Sequence, residues 1–113
     1  MGISTHVLDT SLGRPAPAVP VRLERRTPSG GWQAVASGAT DLDGRCRDLL
    51  PSGDLLSPGV YRITFDTERY FAALEVEGLY PEVTVTFVVR EAASHYHIPL
   101  LVSANGYTTY RGS

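Results

Sequence analysis

In the stretch His95-Tyr-His-Ile-Pro-Leu-Leu-Val-Ser103, every second side chain is large and apolar. Successive side chains of a β-strand point to opposite faces, so Tyr96, Ile98, Leu100 and Val102 form a core face. The other face then reads His95, His97, Pro99, Leu101. A freely solvated face is more polar than that. Two neighbouring imidazoles beside Pro99 and Leu101 predict a face that is covered or forms a pocket.

The same alternation recurs on either side. Val19, Val21 and Leu23 oppose Arg22 and Glu24; Tyr61, Ile63 and Phe65 oppose Arg62, Thr64 and Asp66; Val83, Val85, Phe87 and Val89 oppose Thr84 and Thr86. These patterns predict strands over 19–25, 60–66 and 82–90, with Ile3–Leu8 as the first strand. Trp32–Ala39 is a further candidate, joined through Asp43-Gly44 to a short run Arg45–Leu49. The strand over 95–103 meets one over 106–112 at Asn105-Gly106, both dipeptides being hairpin signals. One segment breaks the pattern: over Thr67–Leu74, Thr67 can cap, Glu68 suits a first turn, and Tyr70, Phe71 and Leu74 form a helical stripe. About eight short strands, separated by turns rich in the chain's 11 glycines and 8 prolines, predict a mostly β chain. The architecture expected is a β-sandwich of two antiparallel sheets with one short helix.

The 113 residues suffice for one domain spanning 1–113, without internal repeats or linkers. A formal charge of −2, from 10 basic and 12 acidic residues, gives no general attraction to nucleic acid or to anionic lipid. No window approaches the roughly 18 apolar residues of a membrane span, and the first residues lack the basic start and apolar run of a secretory signal. The single cysteine, Cys46, cannot form an internal disulfide. A cytoplasmic location is therefore expected. All ten basic residues are arginine, which nothing in the physical reading explains.

Chemistry concentrates in few places. His6 lies in Ser4-Thr-His-Val-Leu8 opposite Val7, so all three histidines face away from the core. The pair at 95 and 97 is compatible with surface histidines, with acid–base work, or with an open three-histidine zinc site that activates water. Spacing alone does not bring His6 to the strand over 95–103. Asp41 and Asp43 in Thr40-Asp-Leu-Asp-Gly-Arg45 suit a turn better than a calcium loop, since the glycine position and the missing later glutamate do not fit one. Arg45, facing opposite to Cys46, is either a solvated edge charge or a fixed cation for a carbonyl or oxyanion. Cys46 lies between two arginines but lacks the surroundings of a catalytic thiol, and suits a small, partly buried core position. No nucleophile-elbow serine, phosphate-binding loop or dinucleotide fingerprint is present. Thr108 and Tyr110 share a face, so pairing of the last strand with 95–103 would place Tyr110 beside the histidine face.

His6-Val-Leu-Asp-Thr-Ser-Leu-Gly-Arg-Pro-Ala16, Thr40-Asp-Leu-Asp-Gly-Arg45, Tyr80-Pro-Glu-Val-Thr-Val85, His95-Tyr-His-Ile-Pro-Leu-Leu101 and Tyr110-Arg-Gly-Ser113 occur in this order. Together they resemble the 5-hydroxyisourate hydrolase family, transthyretin-like proteins of purine breakdown. The resemblance spans essentially the whole chain and is most specific at the last four residues. Transthyretin, the hormone carrier of the same fold, lacks the two histidines, the arginine and that tail. The departures are Ser103-Ala104-Asn105, where Ser-Pro is common, and Leu79-Tyr80 before Pro81, where an aromatic pair is frequent.

The resemblance implies a transthyretin-like sandwich assembled as a homotetramer with active sites in a channel between dimers, which would cover Pro99 and Leu101. It implies hydrolysis of 5-hydroxyisourate to the ureidoimidazoline carboxylate, with no cofactor and no metal. Its site residues correspond to His6, Arg45 and His97 as catalytic groups, with His6, Arg45, Tyr110 and Ser113 binding substrate; His95 ranks lower. A small-molecule carrier without turnover and a zinc-dependent cyclic amide hydrolase are the alternatives.

Overall fold

The computed structural model describes residues 2–47, 49–50 and 56–113. Two sheets face each other across the core. The first contains β1 (Gly2–Asp9), β2 (Arg14–Pro15), β5 (Arg45–Cys46), β8 (His95–Ser103) and β9 (Gly106–Thr109). Its order is β2-β1-β8-β9, with β5 also pairing β1. The second runs β4-β3-β6-β7, from β3 (Pro20–Arg26), β4 (Trp32–Ala39), β6 (Gly59–Phe65) and β7 (Val83–Val89). The expected mostly β, two-sheet sandwich with one helix is what is observed.

The period-2 faces hold. Val21, Leu23, Tyr61, Ile63 and Phe65 from one sheet meet Ile3, Val7, Tyr96, Ile98, Leu100 and Val102 from the other, all buried. Burying a side chain of this size contributes about 1.5–3 kcal/mol, so this interdigitated layer supplies the main stabilisation of the fold. Val85 and Phe87 are only half-buried, because β7 is the edge of its sheet.

Three features differ from expectation. Pairing is antiparallel except between β1 and β8, which run parallel with Ser4 opposite His97 and His6 opposite Pro99. Arg45–Cys46 does not form a hairpin with Trp32–Ala39 but pairs with β1 in the other sheet, and Asp48 of the expected run lies outside the described residues. Buried Thr40 lies where the chain leaves β4: its hydroxyl donates to the Ala16 carbonyl at 2.7 Å and accepts from the Val19 N–H at 2.9 Å. The last hairpin turns at Ala104-Asn105, with Gly106 paired to Ser103, and the final strand ends at Thr109, short of the expected Gly112, which keeps an isolated bridge to His97.

The helix α1 covers Thr67–Ala73 and is capped by Asp66, whose carboxylate accepts from the Arg69 N–H; Thr67, expected as the cap, instead donates its hydroxyl to the Tyr80 carbonyl. Tyr70 and Phe71 are buried, whereas Leu74 falls at the helix end and is 39% exposed. The Tyr70 hydroxyl donates to Asp9 Oδ2 at 2.7 Å, and Asp9 Oδ1 accepts from the Ser11 and Leu12 N–H groups. One buried carboxylate thus ties α1 to the turn after β1.

Candidate active site

The parallel pairing decides the site. Side chains at even positions of β1 face away from the core, so Ser4 and His6 stand beside His97 and Pro99. On the other edge of β1, His6 is paired with Arg45 and Thr5 with Cys46. Arg45 therefore joins the histidine face, while Cys46 packs against the core.

Arg45 is held by its turn. Asp41 Oδ1 accepts from the Asp43 and Arg45 N–H groups at 2.9 Å each, and the Arg45 N–H holds the Asp41 carboxyl below the ordinary carboxylate range. Gly44 adopts φ +75°, and its carbonyl accepts from the Val7 N–H at 2.7 Å. A Cβ there would run into the Val7 carbonyl, so this turn requires glycine twice over. Asp41 and Asp43 thus serve a turn.

The chain end closes the other side. The Gly112 N–H donates to the His97 carbonyl at 2.8 Å, and the His97 ring packs directly on the Gly112 backbone. Pro99, expected to be covered by another subunit, is already buried within the single chain, with Gly112 against it.

The result is an open cavity of about 320 Å³ lined by Ser4, Thr5, Arg45, Arg47, His95, His97 and Ser113. Of the residues expected at the site, Arg45, His97 and Ser113 line this cavity. His6 is not among the lining residues but is close enough for its charge to act on His97. Tyr110 does not line it: the side chain is 56% exposed and borders a separate groove with Phe87, Tyr96 and Thr109. Ser4, Thr5 and Arg47 are lining residues that the motif reading missed. Ser4 lies two residues before His6 on the same strand face, which marks it as outward-facing but not as a site residue.

The imidazoles are individually constrained. His6 Nε2 lies 2.8 Å from the Asp43 carbonyl, an acceptor only, so this nitrogen carries the proton. Ser4 Oγ lies 2.8 Å from both His95 Nε2 and His97 Nδ1. Burial pushes the His97 pKa below the ordinary imidazole value, and the charges of Arg45, His6 and His95 push in the same direction. His97 is therefore neutral near pH 7, and among the described residues its Nε2 has no hydrogen-bond partner. Each ring has one nitrogen engaged within the protein, and among the described residues no group of three or more His, Cys, Asp or Glu is placed to hold a metal ion.

A neutral imidazole beside a guanidinium in an open polar cavity is the equipment of a hydrolytic site acting on a polarised carbonyl. Built on the outer face of a two-sheet β-sandwich, it defines a class of β-sandwich proteins with a histidine–arginine site. The chain belongs to the HIUase/Transthyretin family, whose sequence profile matches residues 3–112. It is 44% identical over 112 residues to the 5-hydroxyisourate hydrolase of Mus musculus, covering 98% of this chain and 94% of that one. Among solved structures it is similar to Klebsiella pneumoniae 5-hydroxyisourate hydrolase, with TM-score 0.86, 35% identity and coverage of 98% and 97% of the two chains. It is also similar to Sparus aurata transthyretin, with TM-score 0.91, 32% identity and coverage of 97% and 95%. Backbone similarity alone does not separate enzyme from carrier; the side chains of the cavity have to.

Proposed function

We propose that this chain hydrolyses 5-hydroxyisourate, opening its six-membered ring at the amide to give 2-oxo-4-hydroxy-4-carboxy-5-ureidoimidazoline. The observation that carries the reading is the neutral His97 ring beside Arg45 in one cavity, in a chain 44% identical to a relative named for that activity. His97 Nε2 is the general base: it takes a proton from water as the water oxygen attacks the ring carbonyl, and returns it to the leaving nitrogen. Arg45 donates to the carbonyl oxygen and stabilises the negative charge that develops there. His6 is less suited to be the base, because its Nε2–H is committed to the Asp43 carbonyl; it holds the arginine turn against β1 and contacts substrate through its other edge.

Ser113, on the cavity wall, positions the substrate ring. Tyr110 joins it in the assembled protein, a homotetramer with its active sites in the channel between dimers, where a side chain more than half exposed in the single chain becomes part of the wall. No helix among the described residues is long and apolar enough to cross a membrane, and the fold needs no disulfide, so we place the enzyme in the cytoplasm. The chemistry requires neither metal nor cofactor.

The test is the decay of freshly generated 5-hydroxyisourate, followed by absorbance with wild type, His97→Asn and Arg45→Gln, each with and without chelator. Acceleration by wild type that both variants lose and chelator leaves unchanged is expected. Loss of activity to chelator would indicate the zinc-dependent hydrolase. A folded oligomer without acceleration would overturn the reading in favour of a carrier.

A further inference from the structure

Ser4 presents a problem of hydrogen-bond arithmetic. Its Oγ lies 2.8 Å from His97 Nδ1 and 2.8 Å from His95 Nε2, and a hydroxyl has a single proton to donate. Oγ can also accept twice, but among the described residues it has no other hydrogen-bond partner, so its own proton goes to one ring and the other ring donates to it. The tautomers of the two rings are therefore coupled: if His97 carries its proton on Nδ1 and donates to Ser4, then Ser4 donates to His95 Nε2; if Ser4 donates to His97, then His95 must donate to Ser4. Ser4 is only 8% exposed, whereas His95 is exposed, so the bridge runs from the cavity base to a solvated ring.

We propose that Ser4 and His95 form with His97 a hydroxyl-bridged proton relay, in which Ser4 fixes the His97 tautomer and His95 holds the proton during turnover. The proposal rests on the hydrolase reading above and deepens it. At rest His97 bears Nδ1–H, donates to Ser4 Oγ and leaves Nε2 free; Ser4 donates to His95 Nε2. When Nε2 takes the proton from attacking water, His97 becomes a cation beside Arg45, with Arg47, His6 and Ser113 also around it. The Nδ1 proton then passes to Oγ while the Oγ proton passes to His95 Nε2. His97 is left neutral with Nε2–H, and His95 carries the charge where water solvates it. As Nε2–H moves to the leaving nitrogen, the two bridge protons return, and all three groups regain their resting state. Ser4 and His95 are positioning residues that act through His97; neither needs to touch substrate.

The ring nitrogens of His97 can be read directly in ¹⁵N-labelled protein, without turnover. The resting neutral ring is expected to carry its proton on Nδ1 in wild type and to shift towards Nε2–H in Ser4→Ala. In the hydrolysis assay, Ser4→Ala should lower kcat by about tenfold or more while KM stays within about twofold, since the loss falls on proton transfer and not on binding. Its acid limb should move to lower pH, because the His97 cation loses its acceptor. Ser4→Thr, which keeps the hydroxyl, should restore tautomer and rate, and His95→Gln should lower kcat with the His97 tautomer retained. An Nε2–H resting ring in wild type, or unchanged rate and tautomer in Ser4→Ala, would overturn the relay. Should Ser4→Ala fail to fold, the wild-type ring spectrum and His95→Gln still decide it. Absence of turnover in wild type would count against the hydrolase, whereas the ring spectrum would still decide the bridge.

Discussion

Gly112→Ala is the sharpest single-atom probe of the site. Gly112 does not occupy the left-handed region, so alanine there brings no backbone strain. The difficulty is space: an added Cβ would lie 2.5 Å from His97 Cδ2, 3.2 Å from its Cγ and 3.3 Å from Pro99 Cγ. Carbon atoms rest at roughly 3.5–4.0 Å, so ring and tail must separate by about 1 Å. Pro99 is buried against the sheet and cannot yield easily, which leaves the imidazole or the tail to move. Cδ2 is bonded to Nε2, so the displacement falls on the proposed base nitrogen. A misplacement of about 1 Å costs on the order of 100-fold in rate, and a loss of that size is expected in kcat/KM for ring opening. The assay compares wild type and Gly112→Ala in the absorbance decay, with gel filtration and thermal unfolding to show that the oligomer persists. Activity within about threefold of wild type, in a folded protein, would refute the idea that the tail sets the His97 ring; the reference point is the 100-fold expectation.

Four further outcomes are expected. His97 should titrate below the ordinary imidazole value, with Arg45→Gln moving it back up, as read from its ring proton shifts in NMR. Because the unfolded chain binds a proton that folded His97 refuses, stability falls as pH drops from the ordinary imidazole value towards the folded one, and chemical denaturation across that window checks the sign. Tyr70→Phe should cost about 1.5–3 kcal/mol in denaturant unfolding, as expected for the loss of a hydrogen bond to a charged group, here the buried Asp9 carboxylate, with turnover retained. Asp41→Ala removes the acceptor that holds the Arg45 N–H and should lower turnover, whereas Asp41→Asn, which keeps an acceptor oxygen, should retain most of it.

Much of the fold was legible because alternation and burial report the same fact. Tyr96, Ile98, Leu100 and Val102 could be assigned to the core from spacing alone, and all four are buried. What local patterning does not carry is partnership. Nothing in Arg45–Cys46 says that its neighbour is β1 and not β4, because the contacts that hold the chain there, the Val7 N–H on the Gly44 carbonyl and the Thr40 hydroxyl on Ala16 and Val19, join residues far apart in sequence. The helix start slipped by one residue for a related reason: Asp66 and Thr67 are both able to cap, and the Tyr80 carbonyl claims the threonine.

The same limit governed the site. His6 and His97 are separated by most of the chain, and only the parallel β1–β8 register places Ser4 opposite His97 and hence the two histidines on one surface. The motifs supplied the candidate groups, since imidazole and guanidinium are rare enough to stand out on an alternating strand. They did not supply Ser4, because a serine two residues before a histidine has no signature until its cross-strand partners are known. Nor did they reveal why the tail needs glycine at 112, which follows from the approach of the His97 ring and not from any turn. The candidate groups for the chemistry were thus readable one at a time, whereas the groups placed against them are defined by contacts across strands far apart in sequence. This is the physical reason that positioning residues such as Ser4 and Gly112 emerge only once the fold is assembled, and that perturbing them should alter rate more than binding.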